Sequence, residues 1–146
     1  MTTSMTSATQ IPRSAKNGTA RLVGVSDWTS GFPAGSFWLL YERTRDQAWR
    51  TAAETWTGAL MAQAATTSTH DVGFIIYSSF GNGYRLTSNA AYRTVVLQAA
   101  SSLASRYDAD VGCTRSWDFG SWMFPVIIDN MMNLELLFRA TALGGE

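Results

Sequence analysis

Three aspartates hold matching places in the chain, and their side chains are the ones best suited to move a proton. Asp27 precedes Trp28, Asp71 follows His70, and Asp129 precedes Asn130. Each stands where a helix is expected to begin. If the helices stack as hairpins, equivalent helix starts point to one end of the stack, and carboxylates far apart in sequence converge there. A helix N-terminus favours an aspartate anion by less than ~2 kcal/mol when exposed. Aspartate is also a favoured N-cap, so each one taken alone reads first as a cap. Asp129 follows the apolar run Val126-Ile127-Ile128 and precedes Met131-Met132, which predicts burial. A buried carboxylate is costly unless it is paired. That setting suits a general acid. Asn133 lies one turn further on, on the same helix face as Asp129 and within hydrogen-bonding reach.

His70 is the only histidine and Cys113 the only cysteine. A zinc site built from several His or Cys ligands is therefore excluded, and so is an intrachain disulfide. No G-x-S-x-G elbow accompanies His70, so a serine-hydrolase triad has no support. His70-Asp71 reads either as packing beside a cap or as an imidazole and a carboxylate lining one polar site. The chain holds six tryptophans. Trp38, Trp49 and Trp56 fall at helical spacing and read as core. Trp28 and Trp117 fall outside the expected helices and suit a platform for a sugar ring.

An internal repeat indicates how these residues are held. Ser36-Phe37, Tyr41, Thr44 and Ala48-Trp49-Arg50-Thr51 recur at one constant offset as Ser79-Phe80, Tyr84, Thr87 and Ala91-Tyr92-Arg93-Thr94. Gly31-Phe32 and Gly73-Phe74 precede the two copies. A period near ~40 residues points to stacked helical hairpins. Apolar spacing predicts helices over 34–43, 46–65, 88–106 and 129–142, with Asp46 and either Ser88 or Asn89 as caps. Gly81-Asn82-Gly83 reads as a turn. Residues 107–123, rich in Asp, Gly and Trp, read as a long loop that either binds or covers the core. Residues 124–128 read as a short strand or as extended chain entering the last helix.

Composition bounds the function. Apolar residues make up 46% of the 146, enough for a core. Acidic and basic residues balance at 11 each, which gives no electrostatic footprint for nucleic acid or an anionic membrane. No apolar run is long enough for a transmembrane helix. Residues 1–20 are rich in Ser and Thr and read as a flexible tail, with a transit peptide as the alternative. They lack the apolar stretch of a signal peptide, and a cytoplasmic location is expected.

Taken together, Asp27-Trp28-Thr29-Ser30-Gly31-Phe32, Leu40-Tyr41-Glu42, His70-Asp71-Val72-Gly73-Phe74 and Ile127-Ile128-Asp129-Asn130-Met131-Met132-Asn133-Leu134 resemble the ordered motifs of glycoside hydrolase family 88, the unsaturated glucuronyl hydrolases. The resemblance covers residues 24–146. It implies an all-α fold in which helical hairpins form part of an (α/α)6 toroid, with residues 21–146 as the N-terminal part of that domain. It also implies removal of 4,5-unsaturated uronic acid from the non-reducing end of lyase-generated oligosaccharides. In that reading Asp129 is the acid/base and Asp71 the second essential carboxylate. Trp28, His70, Trp117 and Asn133 bind substrate, and no metal or organic cofactor is needed.

The chain departs from the family pattern in length. It stops where the turn of a third hairpin is expected, and it lacks the family's opening amphipathic helix. A truncated, weakly active or inactive piece is therefore expected, with self-association through exposed helix faces. An unsaturated rhamnogalacturonyl hydrolase is the related alternative. A non-catalytic helical fragment that binds sugar or a partner is the alternative of a different class.

Overall fold

The computed structural model describes residues 7–145. The chain is mostly helical, with two small antiparallel hairpins. A hairpin of β1, Ile11–Lys16, and β2, Thr19–Val23, opens the described part. It corrects the expected flexible tail over 1–20 for the residues described, while 1–6 lie outside them. Asn17 and Gly18 turn the hairpin at φ 50° and 75°, the left-handed pair a two-residue connection requires. Ile11 anchors it by full burial in the core.

The repeat corresponds to two helical hairpins. Helix α1, Gly31–Thr44, turns into α2, Gln47–Gly58. A π-helical stretch, Gly73–Gly81, runs into α3, Asn82–Thr87, and turns into α4, Ala90–Ala104. The two turns are built alike. Arg45 and Ser88 each take a left-handed conformation, φ 60° and 54°. Asp46 and Asn89 each cap the next helix, accepting from the amides of Ala48 and Ala91 at 2.8 and 2.9 Å. Thr44 and Thr87 each donate to a carbonyl one turn back, Leu40 and Gly83, at 2.7 Å. The recurring Thr and Asx residues thus specify one turn twice.

Gly81-Asn82-Gly83 does not form the expected turn. It lies inside the helical run, where side chains at 81 and 83 would collide with the rings of Tyr77 and Tyr92. The predicted helix over 46–65 breaks after Gly58 and resumes as a 3₁₀ turn, Met61–Ala65. The predicted helix over 129–142 divides into α5, Asn130–Asn133, and α6, Glu135–Ala142. The loop over 107–123 contains a minimal hairpin of β3, Tyr107–Asp108, and β4, Cys113–Thr114. Residues 124–128 form no ladder strand and reach α5 as irregular chain, with a bend at Phe124 and a turn from Ile128.

The core lies between the hairpins, around Trp38, Leu60, Ile75, Ile76, Phe80, Val96, Leu103 and Leu136. Trp38 satisfies its indole N–H on Thr57 Oγ1 at 2.9 Å, as a buried donor must. Trp56 is buried, and Trp49 stacks on Phe37 with centroids 5.8 Å apart. Two glycines set the distance between the helix starts. A side chain at Gly31 would strike the backbone of Phe74 and Ile75, and one at Gly73 would strike the backbone of Asn133. The starts of α1 and of the π-helical stretch are thereby drawn close to each other, and the latter close to the short helix α5. Among the described residues no helix is long and apolar enough to cross a membrane.

Candidate active site

Residues 69–71 connect the 3₁₀ turn to the π-helical stretch. They are held by pairing with the chain around Trp117: Thr69 and Trp117 form an isolated antiparallel bridge, and the His70 amide donates to the Ser116 carbonyl at 2.8 Å. The same carbonyl lies 2.6 Å from His70 Nδ1. A carbonyl only accepts, so Nδ1 carries a proton and the ring is turned with Nε2 facing the other way. The ring is buried, with 1% of its surface exposed.

Nε2 faces two carboxylates. Asp129 Oδ1 lies 3.1 Å away and Asp71 Oδ1 3.4 Å away. A contact of 3.1 Å between nitrogen and oxygen requires one proton between them, on either atom. Asp71 is steadied by Thr69, whose hydroxyl donates to Asp71 Oδ2 at 2.9 Å. Both carboxylates retain access to solvent, with 23% and 37% of the Asp71 and Asp129 side chains exposed. The trio thus has a buried imidazole hydrogen-bonded to one carboxylate, with a second carboxylate 3.4 Å away, and both carboxyl groups are reachable from solvent. Its three ligand-type atoms lie within 4.8 Å of one another, so the same groups could also hold a divalent ion.

The predicted burial of Asp129 is not what the fold produces. Ile128, Met131 and Met132 beside it are 82%, 68% and 67% exposed. Most of the apolar run faces outward, so of Val126, Ile127 and Ile128 only Ile127 lines the cleft beside the carboxylate.

The trio lies in a cleft of about 260 Å³, walled by Trp28 and Trp117 with Phe119 and Ile127. Trp117 stacks on Phe119, with centroids 5.2 Å apart and planes 13° apart. Trp28 packs against Phe32 and Phe74, and those two rings meet at 5.5 Å. The repeated Gly-Phe pairs therefore build the aromatic base under Trp28. Aromatic walls around two carboxylates form a surface that suits a sugar ring with an acid–base pair beneath it.

Two sequence candidates do not enter the cleft. Asp27 accepts from the Thr29 hydroxyl and amide at 2.6 and 3.0 Å and pairs with Arg13 at 2.8 Å. Partial burial raises its pKa, but the Thr29 bonds and the Arg13 charge outweigh that and hold the carboxyl below its ordinary range. Asn133, expected to contact substrate, is fully buried. Its Oδ1 accepts from the Phe74 amide at 2.7 Å and its Nδ2 donates to the Asp129 carbonyl at 3.4 Å. It ties α5 to the π-helical stretch, and its burial leaves it out of a ligand's reach.

Sequence reasoning missed Thr69, Ser116 and Phe119. Phe119 was findable, because residues 117 and 119 share a face in extended chain. Ser116 acts through a backbone carbonyl, which no side-chain pattern reveals.

A comparison with models of protein families finds none that matches. An unsaturated glucuronyl hydrolase of Formosa agariphila is 47% identical over 123 residues, 82% of this chain and 31% of that protein. Over these residues the chain is similar to one part of the unsaturated glucuronyl hydrolases. An unsaturated chondroitin disaccharide hydrolase of Streptococcus pneumoniae is 30% identical over 79% of this chain and 30% of that protein. The crystal structure of an unsaturated glucuronyl hydrolase specific for heparin superposes with a TM-score of 0.89 at 43% identity, covering 93% of this chain and 37% of that one. The chain spans about a third of the length of the curated relatives it matches.

Proposed function

We propose that this chain carries the acid–base centre of a hydrolase that removes 4,5-unsaturated uronic acid from the non-reducing end of lyase-generated oligosaccharides. The observation that carries the reading is the contact of His70 Nε2 with Asp129 and Asp71 in a cleft walled by Trp28 and Trp117. The substrate class is a vinyl ether, C4=C5–O. Asp129 in its acid form protonates C4, leaving positive charge shared between C5 and the ring oxygen. Water then adds at C5 and returns a proton to Asp129. The resulting hemiketal opens and releases the aglycone. Asp71, steadied by Thr69, holds the developing positive charge. His70 keeps a proton in reach of both carboxyl groups, and Trp28 and Trp117 stack on the sugar. No covalent glycosyl-enzyme forms, so the spacing rule for retaining and inverting glycosidases does not govern this pair.

In this reading the helices are one part of an (α/α)6 toroid, and residues beyond this chain complete the pocket for the uronate carboxylate. Its apolar face supports that view. A groove of about 610 Å³ runs between Tyr107 and Leu137, floored by Val126, Ile127, Met131 and Leu134, and exposed apolar grooves of this kind favour association. A second reading, a non-catalytic helical piece that binds sugar, follows from the share of the relatives that the chain spans.

The test is an absorbance assay for loss of the C=C bond. It uses lyase-generated disaccharides from chondroitin and from pectin, with the chain alone and with the chain joined to the part of a relative's fold that it does not span. Turnover of the chondroitin product by the joined form supports the hydrolase. Turnover of the pectin product alone would favour a rhamnogalacturonyl hydrolase, and sugar binding without turnover the non-catalytic reading.

A further inference from the structure

The geometry points to Arg106 as the positioning residue for His70. Arg106 follows the end of α4, and only 4% of its side chain is exposed. Its guanidinium joins two stretches of chain that have no covalent reason to stay in register. On one side Nη1 donates to the carbonyl of Thr67, three residues before His70. On the other, Nε donates to the Arg115 carbonyl at 2.8 Å, and Nη2 donates to Asp118 Oδ1 at 3.0 Å, with Nη1 on Oδ2 at 3.3 Å. Between Arg115 and Asp118 lie Ser116, whose carbonyl holds the His70 amide and Nδ1, and Trp117, which walls the cleft.

Only a planar fork with five donors spans four such acceptors, and a lysine offers one compact charge in its place. The fork therefore fixes where the Ser116 carbonyl stands relative to residue 70. That carbonyl fixes the rotation of the imidazole, and the rotation decides whether Nε2 meets Asp71 and Asp129. Arg106 reaches the acid–base trio through two intermediates without touching it. The consequence for turnover rests on the proposed hydrolase; the consequence for the orientation of His70 does not.

Because His70 is the only histidine, protein labelled with ¹⁵N-histidine reports its ring alone. The experiment compares the wild type with Arg106→Lys, Asp118→Ala and, as control, Arg50→Gln, which breaks the surface pair with Glu54 at 2.8 Å. Helical circular dichroism and a cooperative melt establish that each variant is folded. In folded Arg106→Lys and Asp118→Ala the Nδ1 resonance moves and its proton exchanges with solvent faster by about ten-fold or more, while Arg50→Gln matches the wild type. Wild-type His70 signals in both folded variants would overturn the assignment, as would an equal change in Arg50→Gln. If Arg106→Lys does not fold, Asp118→Ala decides, since the Asp118 side chain is 43% exposed and its removal opens no core cavity. Absence of turnover in every form, wild type included, counts against the proposed hydrolase and leaves the His70 result standing.

Discussion

His70 Nε2 lies 3.1 Å from Asp129 Oδ1 although 59 residues separate them in the chain. The contact exists because two backbone meetings bring their segments together. Gly73 allows the start of the π-helical stretch to touch Asn133, and the Ser116 carbonyl aims the imidazole toward α5. Neighbouring helix starts supply the residues, and a loop threaded between them supplies the orientation. A π-helical stretch opens two residues after Asp71, and such irregular turns recur at functional sites.

Asn133 is expected to matter for stability more than for ligand affinity. Asn133→Ala leaves the Phe74 amide without its partner at 2.7 Å, and an unsatisfied buried donor costs about 1–3 kcal/mol. Gly73→Ala forces a methyl group into the Asn133 backbone and is expected to cost a similar amount, roughly 1–3 kcal/mol. Urea unfolding followed by circular dichroism checks both. A midpoint unchanged in either variant would show that the helix starts can separate without loss.

Acid sensitivity is expected from Asp118 and Asp27. Hydrogen bonds from the Arg106 guanidinium hold the Asp118 carboxyl below its ordinary value of 3.8 against a smaller upward push from burial, and the charges of Arg106 and Arg115 add to the lowering. Asp27 is also lowered, by Thr29 and Arg13 acting against burial. A folded-state pKa below the unfolded one contributes stability that is present above the unfolded value and lost as pH falls through the folded value. Asp118→Asn and Asp27→Asn should therefore lower the melting temperature most at neutral pH. The difference from the wild type should shrink as pH falls below 3.8. Melts at pH 7, 4 and 3 check this, and a difference that grows toward acid would contradict it.

The turn chemistry was legible in the sequence because it is local. Thr44-Arg45-Asp46 and Thr87-Ser88-Asn89 carry their own hydrogen bonds, so the repeat, the caps and the hairpins could be read from residue types. The surroundings of Asp129 could not, because burial is a tertiary property and Val126-Ile127-Ile128 looks the same facing in or out. The hairpin over 11–23 was obscured because it follows a Ser- and Thr-rich stretch, residues 1–10, and was read together with it. Asn133 stands one turn from Asp129, a spacing that fits a ligand contact as well as a helix tie. Only the position of Phe74 separates the two. Arg106 lies at the end of an amphipathic helix, where an arginine ordinarily reads as surface.

The apolar face is expected to drive association. Phe138 and Met123 are 76% and 92% exposed, and Ile128, Met131 and Met132 are exposed as well. Sedimentation velocity over a range of concentrations should show reversible self-association of the 146-residue chain. The double variant Ile128→Thr, Phe138→Ser should shift it toward monomer with little change in melting temperature, because neither side chain is in the core. A strictly monomeric wild type at high concentration would remove this expectation.

The acid–base assignment makes the sharpest prediction for turnover. In the chain joined to the remainder of a relative's fold, Asp129→Asn keeps the size of the side chain and a hydrogen-bonding oxygen but can neither deliver a proton to C4 nor take one from water. A positioned acid or base contributes about 10²–10⁴-fold to rate, and this one is asked to serve as both, so kcat should fall by about 10³-fold or more with a modest change in KM. Asp71→Asn removes a charge 3.4 Å from His70 Nε2 and should also act on kcat. Trp117→Ala removes a wall of the cleft and should raise KM. If the trio works by proton transfer alone, a chelator leaves the rate unchanged. Loss of turnover on chelation, restored by a divalent ion, would instead assign the three ligand atoms of His70, Asp71 and Asp129 to a metal. The 146-residue chain alone is expected to turn over little, because the trio can stand in place while the uronate carboxylate finds no partner to orient it, and misorientation forfeits most of the gain from proximity. A monomeric, cooperatively melting chain that consumes unsaturated chondroitin disaccharide, and stops on Asp129→Asn, would show that these helices hold a complete catalyst.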